Sequence, residues 1–379
     1  MVFVPVEQLR AGMVLAKSIE TGIDNCVLPL LVEGRVLSER LIGKLRDRNI
    51  PGIYIKTDFS EDITPGELVD PQLKKKALRT IKRVFDDVAQ YSAISIDNTS
   101  SITEIARELV LEILSADEIL IDFLDLKDYD DYTYRHSLSV AVFSISIGRK
   151  LGYSTDVLID IATGALLHDI GKTEIPIEII NKPGRLTDGE YEIVRKHPDI
   201  AYKYLQGRKM PDAILKGIRS HHERYNGTGY PDGSSGENIP MYGRILTVSD
   251  VYDALTSLRP YRKAWFPNEA LEYMIGSSGI YFDPDIVDVF LKIVVPYPIG
   301  TIVQLSNGCP AIVLKTNENK LRPVVRMFNA SDDTAFIDVD LMNDKSYMNV
   351  TIVSLGYNSR INYDSFILKP EDEDSNSGI

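Results

Sequence analysis

Leu166-Leu167-His168-Asp169-Ile170-Gly171-Lys172 decides the reading of this chain, because an adjacent histidine and aspartate closing an apolar helix are a ready pair of metal ligands. The helix they close is Thr155–His168, where Leu158, Ile161, Ala162 and Leu166 recur at helical spacing. Outward from it, the chain has five histidines in 379 residues, His136, His168, His197, His221 and His222, all in less than a quarter of its length. A lone histidine on an apolar helix is more often a satisfied core residue than a ligand. Five in one helical region, two of them adjacent and one followed by aspartate, point to a site. Imidazole and carboxylate suit Fe, Mn, Zn or Co, and a carboxylate can bridge two ions. With Asp169 and Asp250 added, the candidates exceed what one ion needs if water is also to bind, so the count favours two ions.

Asp250 opens the apolar helix Asp250-Val251-Tyr252-Asp253-Ala254-Leu255-Thr256-Ser257, where an acid can also serve simply as a helix-terminal charge partner. Asp253, one turn on and on the same face, can hold a ligand or a substrate group. Upstream, His136 shares a stripe with Val140, Phe143 and Ile147, while Leu138, Val142 and Ile145 make most other faces apolar. That is a buried helix with a histidine near its start. Helix follows helix to about Val295.

The flanks differ. Residues 1–56 alternate short β-like runs with one helix, Ser38–Arg48, and read as a small α/β accessory module. Residues 57–71 carry acids, glycine and prolines and read as a linker; 72–119 read as connecting helices, one opened by a capping box at Ser101-Ile102-Thr103-Glu104. The central all-α bundle spans 120–296 and includes an acidic loop, Asp125–Asp131. After Pro296-Tyr297-Pro298, β-branched runs separated by Ser306-Asn307-Gly308 and Asn317-Glu318-Asn319 predict a β-barrel-like domain over 297–368. Residues 369–379 form an acidic tail expected to be disordered.

The hydrophobic fraction of 44% and charged fraction of 26% are those of a soluble globular protein. No run is long and apolar enough to span a membrane, and Met1-Val2-Phe3-Val4-Pro5 lacks a signal peptide's basic start and apolar core, which predicts a cytoplasmic protein. Cys26 and Cys309 have no CxxC spacing, so neither a disulfide framework nor a thiolate site is indicated. A net charge of −13 argues against broad binding to polymeric nucleic acid or anionic membranes, though not against a small anion in a locally positive pocket.

His168-Asp169-Ile170-Gly171-Lys172 followed by His221-His222-Glu223-Arg224-Tyr225-Asn226-Gly227-Thr228-Gly229-Tyr230-Pro231 resembles the HD-GYP subfamily of HD-domain metallophosphohydrolases. Tyr134-Arg135-His136-Ser137, Lys182-Pro183-Gly184-Arg185-Leu186-Thr187, Lys196-His197-Pro198 and Ser249–Thr256 extend the match over roughly 120–300. The resemblance implies a bacterial phosphodiesterase that hydrolyses the second messenger cyclic di-GMP to linear pGpG, in some members onward to GMP. It implies that His136, His168, Asp169 and Asp250 hold one ion and His197, His221 and His222 the second, with Asp169 bridging. Iron or manganese is the family's usual choice. Some members bind a third ion through a Glu four residues before the first histidine; here that position is Tyr132, a poor replacement, so two ions are expected, with Asp130 and Asp131 close by.

In such a site two cations roughly 3.5–4 Å apart lower the pKa of a bridging water and clamp the phosphoryl oxygens, so that hydroxide attacks in line with the leaving ribose oxygen. Lys172 is expected beside them as a mobile charge on the phosphate, although a lysine closing a helix can serve only the dipole. Arg259 and Arg262 can give bidentate contacts to phosphate or guanine, or be plain solvated surface. The loop Asn226–Gly236, rich in glycine, is expected to shape the substrate mouth or meet a partner protein through Gly229-Tyr230-Pro231, with Tyr230 free to stack on a base. A homodimer is open. The competing readings are an HD phosphohydrolase for another nucleotide and a catalytically silent receptor or scaffold. Silent members commonly lose ligands, and this chain keeps all seven.

Overall fold

The computed structural model describes residues 1–19, 29–48, 50, 52–116, 121, 132–182, 184–208, 210–257, 264–329, 332–355 and 363–368. Cys26, the acidic loop with Asp130 and Asp131, Arg259, Arg262 and the tail 369–379 lie outside the described residues, as does the side chain of Tyr132. Among the described residues the chain divides into two compact units, one made of Glu67–Val295, the other of the residues through Gly66 together with those from Pro296 onward.

The unit of terminal segments contains strands β1 (Val2–Pro5), β2 (Val14–Leu15) and β3 (Gly52–Lys56) in the antiparallel order β1-β3-β2, and one helix, α1 (Glu39–Asp47). Ser38 caps that helix by accepting from the Leu41 amide, and Ile42 and Leu45 are its buried face. The helical unit follows with α2 (Pro71–Tyr91), α3 (Ile96–Ser115), α4 (Tyr132–Lys150), α5 (Thr155–Leu167), α6 (Ile177–Ile180), α7 (Asp188–Val194), α8 (His197–Leu205), α9 (Asp212–Arg219), α10 (Met241–Thr256), α11 (Pro267–Gly276) and α12 (Pro284–Leu291). No helix among the described residues is long and apolar enough to cross a membrane.

Two starts in this unit show how local chemistry sets a boundary. Asp70 accepts from the Gln72 and Leu73 amides, and Pro71 at the first helical position has no N–H that needs an acceptor, so α2 begins there. The capping box expected at Ser101 is not the start of α3. Ser95 takes that role by accepting from the Asn98 amide, while the Ser101 hydroxyl donates back to the Asp97 carbonyl from within the helix. The sequence contains both serines; extended backbone at Ser95 selects the earlier one.

α4 and α5 are buried on nearly every face and form the centre of the helical core, with α3 and α9 on α5 and α10 on α4. Small residues let these helices close up: Ser144 on α4 meets Ser249 on α10 at 3.0 Å, and a side-chain carbon on Gly217 of α9 would fall 2.8 Å from Tyr242 Cβ of α10.

From Pro296 onward, β4 (Ile302–Leu305), β5 (Pro310–Lys315), β6 (Val324–Asn329), β7 (Asp332–Asp340) and β8 (Ile352–Leu355) form an antiparallel sheet in the order β7-β6-β5-β4-β8. The first hairpin turns at Ser306-Asn307-Gly308, where Gly308 takes φ +85° and Asn307 Oδ1 accepts from the Cys309 amide. The expected barrel-like closure is not found: among the described residues the sheet is open, with β7 and β8 at its edges. Closing a barrel needs edge strands long enough to meet at a tilt, and β8 has four residues, of which Ile352, Ser354 and Leu355 pair with β4. Within this unit Arg326 of β6 donates to Asp62 and Asp338, and Phe59 packs its ring against Phe328 and Phe366.

Candidate metal centre

Three of the five histidines stand just where a helix ends. His168 follows α5, His221 lies two residues past α9, and His197 follows the turn after α7. The last carbonyls of a helix have no amide to accept from, and each of these rings takes one. His168 Nδ1 is 2.7 Å from the Ala165 carbonyl oxygen, His197 Nδ1 2.8 Å from that of Val194, and His221 Nδ1 2.5 Å from that of Ile218. A carbonyl only accepts, so Nδ1 carries the proton in all three rings and Nε2 is left with its lone pair. The same bond therefore finishes a helix and fixes a ligand's tautomer.

Those lone pairs converge on one carboxylate. Asp169 Oδ2 lies 3.6 Å from the Nε2 atoms of both His136 and His168; its Oδ1 lies 3.4 Å from His197 Nε2 and 4.0 Å from His221 Nε2. One oxygen faces each half of the cluster. His136, His168 and Asp250 bring their donor atoms together on one side, and His197, His221 and His222 on the other. Asp250 completes the first half with Oδ1 3.1 Å from His136 Nε2, and its Oδ2 is 3.8 Å from His222 Nδ1.

Gly171 makes the arrangement possible. It sits in the 3-10 turn Ile170–Glu174, and a side-chain carbon there would fall 2.1 Å from the His197 carbonyl oxygen and 2.8 Å from the Ala201 amide nitrogen. The His168-Asp169 turn can lie against α8 only because that carbon is missing.

Burial and charge set the protonation of the cluster. Burial lowers His168 to about 4 and His197 to about 3, and it also lowers His221 and His222, so these rings are neutral at pH 7. Burial opposes charge on His136 as well, but hydrogen bonds to Asp250 and Asp253 outweigh it and raise that ring to about 9. For Asp169 and Asp250 burial resists ionisation, yet Lys172 beside the first, His136 beside the second and the other imidazoles around both hold the carboxyls well below the usual range.

These residues fit a bound cation. His168 Nε2 and Asp169 Oδ1 are buried with no hydrogen-bond partner, which is costly unless something positive is shared between them. His197 Nε2 and His221 Nε2 lie 3.3 Å apart with both protons on the far nitrogens, a contact of two lone pairs that a cation between them would relieve. Two nitrogens each about 2.1 Å from one ion stand roughly 3.0–3.4 Å apart, so the spacing is that of ligands.

Lys172, partly exposed, reaches Asp169 Oδ2 at 2.5 Å. Asp253, expected among the substrate-binding groups, is 3% exposed and sits behind His136, its Oδ2 2.7 Å from the ring's Nδ1 and 3.2 Å from the Ser257 hydroxyl. Tyr230 is stacked on the His222 ring, with centroids 4.8 Å apart and planes at 28°. Arg259 and Arg262 lie outside the described residues.

Sequence reasoning missed Glu223, which is buried and accepts the Asp232 amide at 2.7 Å, and Arg219, which bridges Asp199 of α8 and Asp232 of the loop. Together they tie the segment after His222 back onto the helices. The acid at Glu223 directly after two candidate ligands was the available signal.

The family model of the HD domain matches residues 118–286. The chain is 31% identical over 356 residues to the cyclic di-GMP phosphodiesterase PA4108 of Pseudomonas aeruginosa, covering 86% of this chain and 84% of that one. It is 44% identical over 149 residues to the cyclic di-GMP phosphodiesterase response regulator RpfG of Xanthomonas campestris, covering 38% of this chain and 39% of that one. It is also 34% identical over 184 residues to the 3'3'-cGAMP-specific phosphodiesterase 1 of Vibrio cholerae, covering 48% of this chain and 42% of that one. The match thus spans most of the first relative and less than half of the other two.

Proposed function

The chain belongs to the HD-GYP family of HD-domain phosphohydrolases, and on that premise we propose that it is a metal-dependent phosphodiesterase that hydrolyses cyclic di-GMP to pGpG. The observation that carries the proposal is the carboxylate of Asp169, with one oxygen turned to the His136–His168 half of the cluster and the other to the His197–His221 half. That is the arrangement two neighbouring cations require of a shared ligand. In this reading His136, His168, Asp169 and Asp250 hold one divalent ion and His197, His221, His222 and Asp169 the other, with iron or manganese suiting the mixture of imidazole and carboxylate.

When bound, the ions supply Lewis acidity toward the phosphoryl oxygens and lower the pKa of a coordinated water toward neutrality. The chain's own residues do the rest. The carbonyls of Ala165, Val194 and Ile218 hold the Nδ1 protons, so the ring faces turned to the ions never compete for a proton. Asp253 does the same for His136 with a carboxylate, making that ring the more electron-rich donor. Lys172 places an ammonium beside Asp169, from where it can turn to the phosphate as negative charge builds on it. Arg259 and Arg262 are proposed to bind phosphate or guanine. A partner protein at the Gly229-Tyr230-Pro231 loop and a homodimer are not needed for this chemistry.

The test is to load the protein with iron or manganese under exclusion of oxygen, incubate it with cyclic di-GMP or 3'3'-cGAMP, and separate the products by chromatography. Linear pGpG, formed faster than the product from 3'3'-cGAMP, is expected. No linear product from either dinucleotide with either metal would overturn the proposal in favour of a silent receptor, and preference for 3'3'-cGAMP would overturn the substrate.

A further inference from the structure

His222 is the exception among the five histidines. Each of the other four has its Nδ1 tied to a partner that only accepts, a backbone carbonyl for His168, His197 and His221 and the Asp253 carboxylate for His136. Among the described residues His222 has no such bond. Its Nδ1 lies 3.8 Å from Asp250 Oδ2, beyond hydrogen-bond distance, and among the described residues its Nε2 meets His197 Nε2, at 3.2 Å. It is also the most exposed of the five, with 23% of its side chain accessible. Its orientation therefore rests on packing and not on a hydrogen bond, whereas a ligand must be held in place.

Among the described residues, three rings lie against it. Those of His221 and His197 are themselves candidate ligands, with centroids 4.0 and 4.9 Å away and planes at 43° and 81°. The third, Tyr230, is the one that stacks, at 4.8 Å and 28°, and the loop between Tyr230 and His222 is built to bring this about. At Gly229 a side-chain carbon would fall 2.4 Å from the Arg224 amide nitrogen and the Glu223 Cα, so the loop can fold flat against the backbone just after His222 only without one. The Tyr230 amide donates to the His222 carbonyl at 3.2 Å, and Glu223 fixes the far side through the Asp232 amide. Arg195, two residues before His197, brings its guanidinium carbon to 4.9 Å from the Tyr230 ring centroid. The tyrosine is thereby held between the segment carrying His197 and the segment carrying His222.

We infer that Tyr230 is a positioning residue: the face of its ring holds the His222 imidazole in its ligating orientation, the task that hydrogen bonds perform for the other four histidines. This rests on the reading of His197, His221 and His222 as one ion's ligands. It differs from base stacking or partner docking by Tyr230, both of which need a ring face that His222 does not occupy.

The experiment is a titration of metal-free protein with cobalt(II), followed by visible absorption with a competing chelator, on the parent, Tyr230→Leu and Tyr230→Phe. The parent is expected to bind two ions. Tyr230→Leu should bind the first as the parent does, which also reports that the domain is folded, and the second roughly 10- to 100-fold more weakly, the usual cost of removing a group that orients a ligand. Tyr230→Phe, which keeps the ring face and loses only the hydroxyl, should bind both like the parent. If Tyr230→Leu binds the second ion as tightly as the parent, or Tyr230→Phe weakens it as much as the leucine, the inference is overturned while the two-ion reading stands. A parent that takes up no second ion overturns that reading, and the inference with it.

Discussion

Asp169 gathers more opposing demands than any other side chain in the cluster: buried, ionised, paired with Lys172, and within 4.0 Å of four imidazoles. Changing His168 and Asp169 together to alanine removes one ring from the first half and the shared carboxylate from both, so turnover should vanish and metal content fall sharply. Lys172→Ala removes a charge and no ligand; turnover should drop by about tenfold or more while both ions stay, as metal analysis beside the kinetic assay would show. Loss of metal from that variant would mean that the lysine supports Asp169 and not the phosphate. Protonation adds a signed expectation. Without metal, His136 keeps its proton up to about pH 9, and a cation must displace it. Metal affinity should therefore rise with pH toward 9, with close to one proton released per chain near neutrality, measurable by calorimetry in buffers of different ionisation enthalpy. His168 and His197 act in the opposite direction on stability. Their folded pKa values lie below the unfolded one, so the metal-free protein should lose stability as pH falls from about 6.5 through 4 and on toward 3. Urea midpoints across that window would show it.

At the level of elements, the site depends on where helices stop. Ala165, Val194 and Ile218 supply carbonyls because their helices end within a few residues, and this is the part a sequence hides. The adjacency of His168 and Asp169, the apolar phase leading into them and the clustering of all five histidines were legible, since each is a matter of spacing along the chain. Which carbonyl a ring would meet was not, because it depends on termini that shift by a residue or two with packing. The start of α3 at Ser95 instead of Ser101 is the same difficulty at a serine, and the turning of Asp253 inward to His136 depends on how α10 lies against α4. Gly171 gives the sharpest test at this scale. Gly171→Ala forces a carbon to within 2.1 Å of the His197 carbonyl oxygen, so the turn and α8 must part. A loss of about 1–3 kcal/mol or more in unfolding free energy is expected from overpacking against backbone, together with weakened metal binding in both halves. A parent-like denaturation curve would show that the turn has room the structure does not give it.

Across the whole chain, the two units rest on different physics. The helical unit buries a continuous apolar core with a charged cluster inside it, and ions that bind only its folded form should stabilise it by about 2.7 kcal/mol at a hundredfold excess over the dissociation constant. The thermal transition of that unit should move up with manganese and down with chelator. The unit of strands has no comparable cluster among its described residues; there Arg326 binds Asp62 at a separation of 264 residues and Asp338 across the β6–β7 ladder. No pattern within either terminal segment announces a pairing at that distance, and for the same reason the open edges of the sheet were not legible in strands that alternate as a barrel's would. Arg326→Ala should cost this unit about 1–2 kcal/mol, discounted for the exposure of both carboxylates, and leave metal binding unchanged.

The most direct test of the account is the metal content of protein isolated without oxygen, measured by mass spectrometry of the ions against protein concentration for the parent and for the His168→Ala, Asp169→Ala double variant. Two ions of iron or manganese per chain in the parent, and a sharply reduced content in the folded double variant, are expected. A parent that turns over cyclic di-GMP without bound metal, or a double variant that keeps both ions, would contradict it.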